Sequence, residues 1–65
     1  MRMKITLKAA RVNAGLTQKQ LATLMNRDVT TVWNWENKKT KMSLKDFKKA
    51  CSVLGVPEEF IFFEN

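Results

Sequence analysis

Two capping signals only eleven residues apart limit the middle of this chain to very short helices. Thr17 and Gln20 fit a capping box, in which the Thr17 hydroxyl accepts from the Gln20 backbone N–H while the Gln20 side chain reaches back. Asp28 is a favourable N-cap for the next helix. Asn26 tolerates the left-handed backbone that a sharp turn requires. We therefore predict a helix over 17–25, a three-residue turn, and a helix over 29–36.

The remaining apolar pattern predicts helices on both sides of this pair. The first runs to Gly15, the fourth follows Ser43, and a last short helix follows Pro57. A chain of 65 residues buries only about 60% of the surface that its unfolded form exposes, so one small core is expected. We predict an all-α, single domain of five short helices over 1–65, with a helix-turn-helix at about 17–36. For the β-branched run 29–32, a strand is the local alternative.

Composition excludes several classes of site. The chain has no histidine and one cysteine, Cys51, which excludes a structural zinc site and a Cys–His nucleophile. We expect no metal, no cofactor and no enzyme activity, and a reducing cytosol as the compartment. Cys51 lies in the apolar stripe of the fourth helix, where we expect it to pack in the core. No apolar run approaches 18 residues, so no membrane segment is expected.

The charge is distributed unevenly. All twelve basic residues lie in 1–50 with only three acidic ones, which leaves +9, whereas the last fifteen residues carry −3. Such a basic body favours a polyanionic partner, and nucleic acid more than a membrane, because no segment is both strongly basic and strongly apolar on one face. The alternative is that the lysines only keep a small helical protein soluble.

Several residues together resemble the Cro/CI-type (Xre) helix-turn-helix domain of phage and bacterial repressors. They are Arg11, Gly15-Leu16-Thr17-Gln18, Leu21-Ala22, Val32, Trp35-Glu36-Asn37, Lys39-Thr40-Lys41 and Leu54-Gly55-Val56. The chain departs from this pattern at Asn26 and Lys38, where the family usually has glycine. The resemblance implies a compact five-helix, lambda-repressor-like domain in a bacterial cytoplasm, associated with the nucleoid.

On a helical wheel, the third helix has an inward side at Val32 and Trp35 and an outward side that the resemblance sends into the DNA major groove. We expect this outward side to read bases. Asn34 has the amide that pairs with adenine, Thr30 can donate or accept, and neither arginine nor lysine is present to read guanine, which favours an A·T-rich site. The candidate base-reading residues are Val29, Thr30, Trp33 and Asn34. For Trp33, folding over its own helix to pack on Leu24 or on the turn is an equal alternative.

Phosphate contacts are expected from the first turn of the second helix and from the loop after the third. Four residues provide them: Gln18, Asn37, Lys39 and Lys41. The resemblance also implies an ion pair between Arg11 and Glu36 that ties the first helix to the third. Unpaired surface charges are the alternative.

Apolar residues at the end of the chain exceed what a small core can bury. With the resemblance, they indicate a homodimer that is weak in solution and strengthened on DNA. The candidate contact residues are Met42, Val56, Phe62 and Phe63. In the alternative, Phe62 and Phe63 fold back onto the first helix.

The sequence therefore predicts sequence-specific binding to double-stranded DNA. We expect a transcriptional regulator, a Cro-like phage or mobile-element repressor that occupies a palindromic operator and takes no small-molecule ligand. The alternative function is a protein-interaction module, such as an antitoxin or adaptor, on the same helical fold.

Overall fold

A computed structural model describes residues 4–62, which form four α-helices and one short 3-10 turn. The elements are α1 (Leu7–Asn13), α2 (Gln18–Leu24), α3 (Val29–Glu36), α4 (Leu44–Leu54) and the 3-10 turn at Glu58–Phe60. The all-α class is confirmed, and the β-branched segment of α3 is helical. The expected fifth helix is only this single 3-10 turn, because Ile61 directly after it is extended.

The two ends of the described segment meet in an isolated parallel bridge between Ile5 and Ile61. The Ile5 N–H donates to the Phe60 carbonyl at 2.8 Å, and the Phe62 N–H donates to the Ile5 carbonyl at 3.0 Å. Ile61 is also among the largest fully buried side chains. The bridge therefore holds the segment before α1 against the end of the chain, and it draws Ile61 out of helical geometry.

All four α-helices begin at a side-chain cap, and those of α2, α3 and α4 lie where the sequence predicted the helices to start. The cap oxygens accept from the backbone N–H three residues on, or two in the case of α3, and belong to Thr6, Thr17, Asp28 and Ser43. At Thr17 the capping box is complete, because the Gln20 side chain accepts the Thr17 N–H at 2.8 Å. These bonds satisfy N–H groups that a short helix would otherwise leave without partners.

All four α-helices also end next to a residue with left-handed backbone. These residues are Gly15, Asn26, Lys38 and Gly55. Glycine and asparagine adopt this conformation easily, but Lys38 is a lysine at φ 58°. The turn closes there all the same, because the Lys39 N–H donates to the Asn34 carbonyl at 2.9 Å in the manner of a Schellman motif.

The core lies where α2, α3 and α4 meet, with Leu21 and Val32 fully buried at its centre. Leu44, the first residue of α4, is exposed although it is apolar. Met42 corrects an expectation. It was a candidate dimer contact, but it is only 9% exposed and packs in the core, so its side chain contributes little to any outer surface.

The backbone at Lys38 gives a stability prediction. Lys38→Gly and Lys38→Ala both remove the side chain, but only glycine adopts φ 58° without a Cβ clash. We expect the glycine variant to have the higher free energy of unfolding, by about 1 kcal/mol. Urea denaturation of the two variants measures this difference. Equal stabilities would mean that this turn does not strain an L-residue.

Candidate nucleic-acid interface

The outward face of α3 carries the four side chains that the sequence nominated for base reading. Val29, Thr30 and Trp33 are exposed, and Asn34 is partly buried. On the opposite face, Val32 is fully buried and Trp35 packs against the core. Trp33 keeps 45% of its surface exposed, and Leu24 keeps 53%. The helix thus presents a mixed polar and apolar surface outward, one that neighbouring elements leave largely uncovered.

A buried network fixes the C-terminal end of α3. Arg11 donates from Nε to Glu36 Oε2 at 2.7 Å and from Nη2 to Glu36 Oε1 at 3.2 Å. The Glu36 side chain is 1% exposed and that of Arg11 is 10% exposed. A third donation from Arg11, Nη1 to the Leu16 carbonyl at 2.7 Å, reaches the loop between α1 and α2. The bidentate geometry orients α3 against α1.

Gln18 belongs to the same network, which its sequence position did not indicate. Its amide Nε2 donates to Glu36 Oε1 at 2.9 Å. The side chain is therefore bonded to α3, and an approaching phosphate would meet the main chain of Gln18 at the start of α2. Glu36 thereby accepts hydrogen bonds from α1 and α2, and it is itself the last residue of α3.

Asp28 and Thr30 are coupled at the N-terminal end of α3. Asp28 Oδ1 accepts from the Thr30 N–H at 2.8 Å. This backbone hydrogen bond, and then the Thr30 hydroxyl, lower the pKa of Asp28 below its ordinary value of 3.8. The Asp28 carboxylate thus lies close to Thr30, on the surface where we expected Thr30 to read a base.

Arg27 and Asp46 form a contact that sequence reasoning missed. Arg27 Nη2 lies 2.8 Å from Asp46 Oδ1, and the pair joins the turn between α2 and α3 to α4. The Arg27 side chain is about half exposed, whereas that of Asp46 is mostly covered. The sequence indicated only that Asp46 suits the first turn of a helix. No local signal links two residues that lie nineteen positions apart.

The loop after α3 is exposed and basic. Lys39 and Lys41 are exposed, and Asn37 bonds back to its own helix, with Nδ2 donating to the Trp33 carbonyl at 2.9 Å. The loop lies directly after the end that Glu36 fixes. The nominated phosphate contacts at 37, 39 and 41 are therefore adjacent in the chain to the base-reading candidates on α3.

The candidate dimer residues differ in how far the structure exposes them. Val56 is half-buried against the core and Phe62 is 60% exposed, while Met42 is buried. Phe63 lies outside the described residues. Lys4 Nζ lies 5.9 Å from the centre of the Phe62 ring, which places a positive charge beside this exposed aromatic side chain.

The chemistry of other candidate sites is limited. Burial raises the pKa of the Cys51 thiol, and the negative charge of Glu58 raises it further, so thiolate chemistry is disfavoured. Among residues 4–62, no group of three His, Cys, Asp or Glu side chains is placed to hold a metal ion. Within the same segment, no helix has the length and apolar character needed to cross a bilayer.

Comparison with known proteins identifies the family. A helix-turn-helix family model matches residues 7–61, which is most of the chain. A crystal structure of a hypothetical transcription factor, NHTF, from Neisseria superposes with a TM-score of 0.76 at 32% sequence identity. The match covers 82% of this chain and 60% of that one, so the present chain spans less than two thirds of its neighbour's length. A search of curated proteins gave no match. The chain belongs to the Xre-type helix-turn-helix family.

The buried network gives the second prediction. Glu36→Gln keeps the size of the side chain but leaves the Arg11 guanidinium without its counter-charge in a nearly closed site. We expect the free energy of unfolding to fall by about 2–3 kcal/mol in chemical denaturation.

Glu58→Gln is the matched control, because Glu58 meets Lys48 at 3.5 Å in an exposed pair. Its effect should stay below about 1 kcal/mol. Equal, small losses in the two variants would show that the Arg11–Glu36 pair stabilises no more than a surface contact does.

Proposed function

We propose that this chain is a sequence-specific, double-stranded DNA-binding regulator of transcription, with α3 as its reading helix. The observation that carries the proposal is the outward face of α3, which is exposed at Val29, Thr30 and Trp33 and held at its end by the Arg11–Glu36 pair. Membership of the helix-turn-helix family supports a DNA-binding role rather than a catalytic one. The excess of basic over acidic residues supports a polyanionic partner.

In this proposal Asn34 makes the principal base contact. Its side-chain amide can donate to adenine N7 and accept from adenine N6 in the major groove. Val29 offers methyl groups to thymine, and Trp33, with 45% of its surface exposed, adds apolar contact area beside it. Thr30, whose backbone N–H is bonded to Asp28, contributes a hydroxyl that can donate or accept. Such a face favours A·T pairs, because it has no arginine or lysine for guanine.

Phosphate contacts flank this face in the proposal. Lys39 and Lys41 extend from the exposed loop after α3, and Asn37 begins that loop. On the other side of this face, the backbone N–H groups at Gln18, where α2 begins, contact a phosphate. These contacts set affinity and register, while sequence discrimination stays with α3.

We further propose a Cro-like mode of action, in which two subunits occupy a palindromic operator and exclude polymerase. One reading helix contacts only a few base pairs, and two half-sites about one helical turn apart provide the missing affinity. Phe62, 60% exposed, supports an apolar contact between subunits, with Val56 nearby in sequence. Phe63 would extend this contact. A phage or mobile element in a bacterial cell is the proposed setting.

The proposal predicts a split between two kinds of substitution. Asn34→Ala removes a base contact, so it should weaken binding to the selected site by about 1–3 kcal/mol and leave binding to random duplex unchanged. Lys39→Ala removes a phosphate contact and should weaken both. A selected site is obtained by enrichment from random duplex DNA, and affinities are then measured by fluorescence anisotropy.

Lys49→Ala on the exposed side of α4 is the charge-matched control, and it should leave both affinities near the unmodified values. A dimer that neutralises about six to ten phosphates should also show a log–log salt slope of about −5 to −9. A slope near zero, or an Asn34→Ala effect that is equal on both DNAs, would contradict the proposal. The first of these outcomes would favour the protein-interaction alternative.

Assembly on the operator gives a separate prediction. Phe62→Ser should reduce the cooperativity of binding to a palindrome but preserve binding to a single half-site, because the reading helix is untouched. Leu24→Ser, at a similarly exposed apolar residue on α2, is the control. Sedimentation velocity with a palindromic duplex measures the stoichiometry. One protein per palindrome at saturation would rule out the dimer, and unchanged cooperativity would move the interface elsewhere.

A further inference from the structure

A groove of about 480 Å³ opens between the start of α1, the end of α3 and the last described residues. This volume lies within the range of about 300–1,000 Å³ that small-molecule sites occupy. Its wall is mainly apolar, and the apolar side chains come from every element around it: Leu7, Trp35, Met42, Phe47, Ile61 and Phe62. Phe62 is 60% exposed on this wall in the single subunit, so a bound molecule would cover this ring in place of the proposed subunit contact.

The charged groups around the groove are mostly positive. Lys8, Lys38 and Lys41 line it, and the charge of Lys4 lies 5.9 Å from the Phe62 ring on the same wall. Among the described residues that line it, the one carboxylate is that of Glu36, which already accepts from Arg11 and Gln18 and is 1% exposed. An incoming molecule therefore meets an apolar floor beneath a positively charged rim.

We infer that this groove is a binding site for an amphipathic organic anion, in which an apolar chain or ring carries one carboxylate or comparable acidic group. The apolar part lies against Trp35 and Phe47, and the acidic group faces Lys8 and Lys41. The DNA backbone does not fit this description, because it has no apolar part to fill the recess. A small-molecule site was not predictable from the sequence, because the lining residues come from segments up to 56 positions apart.

The site has a direct route to the reading helix. Trp35 and Glu36 are the last two residues of α3, and Lys41 belongs to the loop proposed to contact phosphate. An anion held by Lys41 competes with a phosphate for the same charge. This regulatory step rests on the proposed function, whereas binding of the anion itself does not.

Decanoate and decyltrimethylammonium, both below their micelle concentrations, test the site in the absence of DNA. Trp33→Phe leaves Trp35 as the only tryptophan, so its fluorescence reports occupancy of the groove. We expect decanoate to shift this emission and to perturb the amides of Phe47 and Ile61 in NMR spectra. The cation should bind at least about tenfold more weakly. Absence of these changes up to millimolar decanoate, or equal binding of both probes, would overturn the inference.

Two double variants distinguish the effect of the rim lysines on decanoate binding from the effect of the protein's net charge. Lys8→Gln with Lys41→Gln should weaken decanoate binding about tenfold. Lys45→Gln with Lys49→Gln makes the same change of charge on α4, away from the groove, and should leave decanoate binding unaltered. Equal weakening in both would reduce the effect to net charge and overturn the assigned site.

Competition with a duplex then tests the coupling. Decanoate should raise the apparent Kd of the protein for its selected DNA site, and the Lys8→Gln, Lys41→Gln variant should lose this response. If decanoate occupies the groove but the Kd for DNA does not change, the coupling is wrong and the binding site stands. If decanoate binds but no duplex DNA does, the proposed function fails on its own.

Discussion

The carboxylate of Glu36 is the point on which the arrangement of this small domain depends. It ends α3, accepts two hydrogen bonds from Arg11 on α1 and a third from Gln18 at the start of α2, and is almost completely buried. A carboxylate in such a place is costly unless it is paired and hydrogen-bonded. The three donors therefore set the position of α3 relative to both preceding helices. At the other end of α3, the Arg27–Asp46 pair ties the preceding turn to α4, so α3 is fixed near both ends.

The shortness of the helices explains why the start of every α-helix is capped by a side chain. Helices of seven to eleven residues leave a large share of their N–H and carbonyl groups without partners inside the helix. Side-chain caps satisfy the starts, and left-handed residues close the ends. The Ile5–Ile61 bridge then joins the two ends of the described segment with two backbone hydrogen bonds, so that within 4–62 the core is closed without a fifth α-helix.

Local signals predicted the parts of the structure that local physics controls. The capping box at Thr17, the cap at Asp28 and the turn at Asn26 gave the two central helices, since each depends on residues within a few positions. The resemblance to a family, and not any spacing, suggested that Arg11 meets Glu36. Contacts between distant segments were not predictable in this way: the donation from Gln18, the Arg27–Asp46 pair, and the burial of Met42 each depend on how helices pack. The prediction of a fifth helix was wrong for a related reason, because a bridge to Ile5 holds Ile61 extended.

We propose that the outer face of α3 and the loop after it form the surface that meets DNA. An NMR titration of isotopically labelled protein with duplex DNA tests this placement directly. We expect the largest amide shift changes within 28–34 and 37–41, with little change at the exposed lysines of α4, Lys45 and Lys49. The largest changes on α4, with α3 unaffected, would contradict it.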